Sequence, residues 1–124
     1  MVIGRGGELF ALPESGGAAV GFRGTLGPVT PRGTSDATRL RNGRLAVLVR
    51  RLSMTGFASE VRISGKPGRA SLRLKLPLGP LANAEAIATV PLGDGGTRLW
   101  IATDDNSKPW MRTWLLALDL PPGV

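Results

Sequence analysis

Near one end of the chain, WIATDDNSKPWMRTW sets Asp104, Asp105 and Asn106 in a row between two apolar runs. Adjacent carboxylate and amide oxygens suit a hard cation such as Ca²⁺, which needs neither His nor Cys. Glu85, in the stretch AEAIA some way upstream, can join them if its strand ends at the same rim. A cation held there would bind a phosphate or polarise a water. The same residues have a plainer use, because Asp and Asn end strands by bonding their own backbone. Both readings stand on spacing alone.

Arginine supplies the other candidate chemistry. Guanidinium matches phosphate bidentately, and Arg50 and Arg112 are the residues placed to steady an anionic substrate beside the acidic cluster. Arg44, Arg51 and Arg98 also stand at strand ends, where solvation or a carboxylate partner such as Asp105 or Glu60 is the plainer account. Ser35, Ser53, Ser59 and Ser107 are the hydroxyl candidates, but none lies in a G-x-S-x-G elbow.

Composition narrows the chemistry further. The 124 residues contain no Cys and no His, so a Ser-His-Asp triad, a thiolate nucleophile and a histidine-bound metal are excluded for this chain alone. Carboxylates, Arg, Lys, hydroxyls or an oxygen-bound metal remain. Net charge is +7, with 13 of the 16 basic residues Arg, which raises nucleic acid as a partner. The basic residues are scattered, and Phe10, Phe22 and Phe57 are far apart, so no base-stacking platform forms and that partner is disfavoured. No run approaches a membrane span, and MVIGRGGELF lacks the apolar core of a signal peptide.

These residues need strands to position them. Eighteen glycines and ten prolines punctuate short apolar or alternating runs. Strands are expected at Glu8–Leu12, Ala19–Arg23, Ala37–Leu40, Arg44–Arg50, Ala58–Ile63, Ser71–Leu76, Ala84–Val90, Arg98–Thr103 and Arg112–Leu120. Asn42-Gly43 predicts a type I′ hairpin, and Asp94-Gly95-Gly96 a similar turn. Pro28, Pro31, Pro67, Pro77, Pro80, Pro91 and Pro121 fall between strands. Leu81–Val90 has the composition of a short helix, but Pro80 and Pro91 enclose it and Ile87–Val90 suits a strand. Trp100 and Trp114 are expected to pack across paired strands, leaving Trp110 to cover a site. The fold class is all-β, in one domain spanning 1–124.

Two stretches resemble one another. SDATRLRNGRLAVLVRR and NAEAIATVPLGDGGTRLWIATDD share an acidic start, a strand, a turn, then Arg-Leu and a second strand. Arg44 and Arg98 stand 54 positions apart, and Asp36 and Glu85 stand 49 apart. Repeats over approximately 35–76 and 83–120 predict β-propeller-like antiparallel blades. About two to two and a half blades make an incomplete propeller, since closure takes at least four. The missing blades come from a longer chain or from self-association.

DDNSKPWMRTWLLALDL, with AEAIA before it, resembles the C-terminal end of the phytase-like family, also described by its esterase-like activity. There the pattern is approximately D-N-F-E-G-I-A, a hairpin, then S-D-D-N-F-x-x-x-Q-R-T-L-L-L. SDATRLRNGRLAVLVRRLSMTGFASEVRI is similar to an earlier blade of that family. The resemblance runs from about Leu9 to Leu120 and covers only the later part of the longer family domain. Asp104, Asp105, Asn106, Arg112 and Thr113 keep the pattern, as do Asn83 and Glu85. Ala82, Ala84, Ala86, Ser107 and Met111 depart from it, and Leu48-Val49-Arg50-Arg51 lacks the family's Glu. The resemblance implies metal-assisted phosphoester or ester hydrolysis. Calcium would be held by Glu85, Asp104, Asp105 and Asn106, and an anionic small molecule by Arg50 and Arg112. The alternative is a non-catalytic propeller remnant or binding module whose acidic loops are only turns.

Overall fold

The computed structural model of the chain describes residues 2–3, 9–11, 20–21, 33–65 and 71–124, and every regular element among them is a strand. Strands β1 (Val2–Ile3), β2 (Leu9–Ala11) and β3 (Val20–Gly21) pair in that order as a small antiparallel sheet. Pro28, Pro31 and Pro67, expected between strands, lie outside the described residues.

A four-stranded meander follows: β4 (Thr34–Arg39), β5 (Leu45–Ser53), β6 (Gly56–Ile63) and β7 (Leu72–Lys75). A second, three-stranded meander comprises β8 (Asn83–Pro91), β9 (Thr97–Asp104) and β10 (Leu115–Leu120). All pairings are antiparallel, and neither sheet closes on itself. The Ala-rich stretch is thus strand β8: its Ile87, Thr89 and Val90 suit a pleated surface better than a helix.

The core lies between the two meanders. Ala46 and Leu48 on β5, with Val61 and Ile63 on β6, face Ala84 and Ile87 on β8 and Leu99 and Ile101 on β9. Leu116, Leu118 and Leu120 on β10 extend the same layer. Each buried Leu or Ile contributes about 1.5–3 kcal/mol. The two meanders use their residues differently. In β5, the run Leu45-Ala46-Val47-Leu48-Val49 is buried on both faces, which is why it reads as unbroken apolar sequence. In β9, Thr97, Leu99, Ile101 and Thr103 are buried while Arg98, Trp100 and Ala102 lie half-exposed on the other face.

The two leading hairpins share one loop geometry. Leu40 accepts from Gly43 N at 2.9 Å and its own N–H donates to Arg44 O at 2.8 Å; Leu92 does the same with Gly95 and Gly96. Within these two loops only Gly43 and Gly95 have positive φ, at 80° and 86°. These are three-residue loops, a type I turn closed by a left-handed glycine, in place of the type I′ turn expected at Asn42-Gly43. The side chains explain the choice: Asn42 Oδ1 accepts from Arg44 N (3.0 Å) and Asp94 Oδ1 from Gly96 N (2.8 Å). Each Asx carbonyl or carboxylate takes an N–H that the extra loop residue leaves free.

Candidate functional site

A bulge in each leading strand decides what points where. Pairing of β4 with β5 skips Ser35, and pairing of β8 with β9 skips Glu85. Counted from Leu45 and Leu99, Ser35 and Glu85 therefore hold corresponding ladder positions, and Asp36 corresponds to Ala86. The expected match of Asp36 with Glu85 is off by one residue. Asp36 instead crosses to the other meander, where its Oδ2 accepts from Ile87 N at 2.9 Å and its Oδ1 from Ala37 N at 2.8 Å. The Ile87 N–H belongs to an edge strand, and the carboxylate supplies the partner that no neighbouring strand provides.

Glu85, freed from the ladder by its bulge, meets Arg50 at the end of β5. Arg50 Nη1 donates both to Glu85 Oε1 and to Asn83 Oδ1. Asn83 is buried, and its Nδ2 donates to Asn106 Oδ1 at 2.9 Å. The Asn106 amide then reaches the Met111 sulfur at 3.7 Å, and the Phe57 ring lies 5.6 Å from the Arg50 guanidinium. Four polar side chains from β5, β8 and the loop after β9 thus form one chain of contacts across both meanders. The side chains of Arg50 and Glu85 are 29% and 40% exposed, so the ion pair opens to water while Asn83 does not.

Asp104 and Asp105 do different work. Asp104 Oδ1 accepts from Asn106 N at 3.2 Å and Asp105 Oδ1 from Ser107 N at 2.8 Å. Two successive Asx bonds hold Asn106 and Ser107 left-handed, at φ 51° and 55°. This is the turn geometry, and it delivers the Asn106 side chain to Asn83. Arg112 stands apart: it is exposed, and its backbone carbonyl accepts from Thr103 Oγ1 at 3.2 Å. Thr103 also takes the Trp114 N–H at 2.7 Å, which pins the loop's return and delays β10 to Leu115.

Of the six residues singled out from sequence, Arg50, Glu85 and Asn106 come together, Asp104 and Asp105 shape the turn beside them, and Arg112 does not join. Among the described residues no three acidic groups gather as a metal cluster. Asn83, which keeps the family's pattern, was given no role among the candidate ligands; its position two residues before Glu85 was the available signal. The tryptophans do not stack across a pair as expected. Trp100 lies opposite Ala88 and Ala117, with the Arg98 guanidinium 5.7 Å from its ring. Trp110 and Trp114 are exposed.

The open face of the second meander is the other candidate. Its rows are Ala86, Ala102 and Leu115; Ala88, Trp100 and Ala117; Val90, Arg98 and Asp119. Leu115 is 67% exposed. Arg98 pairs with both oxygens of Asp119, at 2.7 and 2.8 Å, and those hydrogen bonds hold the Asp119 carboxyl below its usual value. By the ladder count, this face corresponds to the core face of the first meander: Trp100 stands where Ala46 stands, and Ala102 where Leu48 stands.

No family model matches the chain, and no curated protein or solved structure matches it. No helix among the described residues is long and apolar enough to cross a membrane.

Proposed function

We propose that the chain is an assembly module of β-propeller type: its two meanders are successive blades, and the open blade face takes a second copy of the chain. The observation that carries this reading is the correspondence of faces. The face of β4–β7 that the second meander covers has its counterpart, position by position, in the uncovered face of β8–β10. That face is fit to meet itself. Trp100 stands between Ala88 and Ala117, so a two-fold contact seats each indole over its partner's alanines. Its two charges, Arg98 and Asp119, already neutralise one another, so no unpaired charge is buried.

Sedimentation of the purified chain over a concentration series tests this. A dimer that Leu115→Glu and Ala117→Glu each turn into a monomer, still unfolding cooperatively but at a midpoint that no longer depends on concentration, is expected. A wild-type chain that stays monomeric throughout overturns the reading.

A second reading is favoured by the meeting of Glu85 and Asn83 at the Arg50 guanidinium, with Asn106 bonded to Asn83 beside them. On this reading the chain is a phytase-like, metal-assisted phosphoester or ester hydrolase, and calcium takes the place of Arg50 among those oxygens. Calcium-dependent stabilisation that Glu85→Gln abolishes would support it. A melting curve indifferent to calcium and to chelator removes it.

A further inference from the structure

A cleft of about 530 Å³ opens on the first meander, on the sheet face opposite the Arg50 side chain and away from the open face of β8–β10. Its floor is one face of the sheet. Val49, Glu60 and Lys75 lie side by side across three strands, and Arg51 lies opposite Ala58 one row further on. Arg73 precedes Lys75 by two residues and shares that face. The side wall exists because β7 stops at Lys75. Beyond it, Leu76 N bonds Ser59 O at 3.0 Å and Phe57 N bonds Pro80 O at 2.7 Å. Between these anchors the chain arches away from β6, and Leu76, Leu78 and Pro80 make an apolar wall.

The charge in the cleft is unbalanced. Among the described residues Glu60 is its single carboxylate, and Arg62 (2.5 Å) and Arg73 (2.9 Å) already hold it. Burial pushes the Glu60 carboxyl up, but the hydrogen bonds and charges of Arg73 and Arg62 outweigh that and keep it low. Arg51 and Lys75 make no ion pair with any described residue. Two uncompensated cations therefore stand at the rim, their backbones roughly 12 Å apart at two strand spacings across and one row along, with Val49 and the apolar wall beside them.

We propose that this cleft binds a small organic anion: a phosphate or carboxylate head between Arg51 and Lys75, and an apolar or aromatic body against Leu78 and Pro80. Guanidinium and ammonium donors suit either head, and a cleft of this volume takes one small molecule. Arg73 stays with Glu60 and sets the position of the carboxylate, which leaves the head to the two free cations. The binding is separate from the assembly face, so either proposal can fail alone.

The experiment is an amide NMR titration of the full chain with phenyl phosphate, benzoate and inorganic phosphate, read at Arg51, Phe57, Ala58 and Lys75. Saturable shifts confined to those residues are expected, with the two aromatic probes binding more tightly than inorganic phosphate. Phenyl phosphate above benzoate assigns a phosphate head, and the reverse order a carboxylate. Arg51→Ala and Lys75→Ala, both at exposed positions, should each weaken binding about tenfold. Leu78→Ser should bring phenyl phosphate down towards inorganic phosphate. Shifts spread evenly over Arg39, Arg41 and Arg112, or none that saturate, overturn the proposal in favour of a merely basic surface.

Discussion

The two meanders have the same strand order and the same hairpin loop, yet one is covered on both faces of its second strand and the other on one. In the first, Leu48 is buried among Val61, Ile63 and the facing strands; in the second, the corresponding Ala102 looks outward. Identical backbone geometry thus carries opposite packing demands. A strand's period-2 pattern states which faces are buried, not how the strand pairs, and β5 and β9 separate the two kinds of information.

The largest test of that contrast is substitution at the matched pair. Leu48→Ala should cost about 2–5 kcal/mol, because the hole it leaves is walled by both sheets. Ala102→Leu should stay within about 0.5 kcal/mol, since a half-exposed face has room. Urea unfolding of both variants measures the difference. At concentrations that keep the chain monomeric, an Ala102→Leu as costly as Leu48→Ala would mean that this face is covered within one chain.

Gly56 gives the next effect. Its φ is 110°, and a Cβ there would strike the Pro80 carbonyl oxygen and come within 2.7 Å of the Pro80 Cβ. Gly56→Ala should destabilise by about 1–3 kcal/mol through strain and loosen the Phe57–Pro80 hydrogen bond that closes the first meander's edge. Gly93→Ala, with nothing within 4 Å of its Cβ in the leading hairpin of the second meander, should stay close to wild type. Thermal unfolding checks both, and amide exchange at Phe57 reports the edge.

The bond that ties the meanders together ranks third. Arg50→Met keeps much of the aliphatic stem but leaves the buried Asn83 carbonyl without its donor, which should cost about 1–3 kcal/mol. Glu85→Gln should cost less, because the partly exposed Glu85 side chain is served by water and Asn83 keeps its bond to Arg50. An equal loss for both would mean that the ion pair, rather than the buried amide, fastens the sheets.

This ranking shows what could be read from sequence. The unbroken LAVLV run and the alternating TRLWIATD run announced their strands and their burial, and Gly43 and Gly95 announced their turns. The bulges at Ser35 and Glu85 left no trace, since a bulge is settled by how two distant strands fit. That one-residue slip decides that Asp36 caps Ile87 while Glu85 meets Arg50, so the partners of both carboxylates were illegible. The late start of β10 was hidden for a similar reason: it depends on Thr103 bonding both ends of a loop eleven residues away at Trp114. Arg112 looked like part of the site because a guanidinium suits an anion and the residue keeps the family's pattern, but the returning loop leaves it exposed and apart.

The smallest effects are electrostatic, and they set the sheltered side of the first meander against the open side of the second. Glu60 and Asp119 both have carboxyl groups held below their usual values by arginine. A carboxyl lowered in the folded state stabilises above its unfolded value, about pH 4, and that contribution fades as the pH falls through the lowered folded value. Both groups should therefore lose stabilisation only in acid, below the ordinary carboxylate range. Salt should separate them. Asp119 and Arg98 meet in open solvent, so added salt should return the Asp119 titration towards its usual value. The Glu60 side chain is only 14% exposed and is held by two arginines, so its titration should barely move. Carboxyl ¹³C titrations at low and high salt measure both. If Glu60 proves as salt-sensitive as Asp119, its arginines are not held in place, and the cleft beside it loses the fixed carboxylate that keeps Arg73 from competing for an anion.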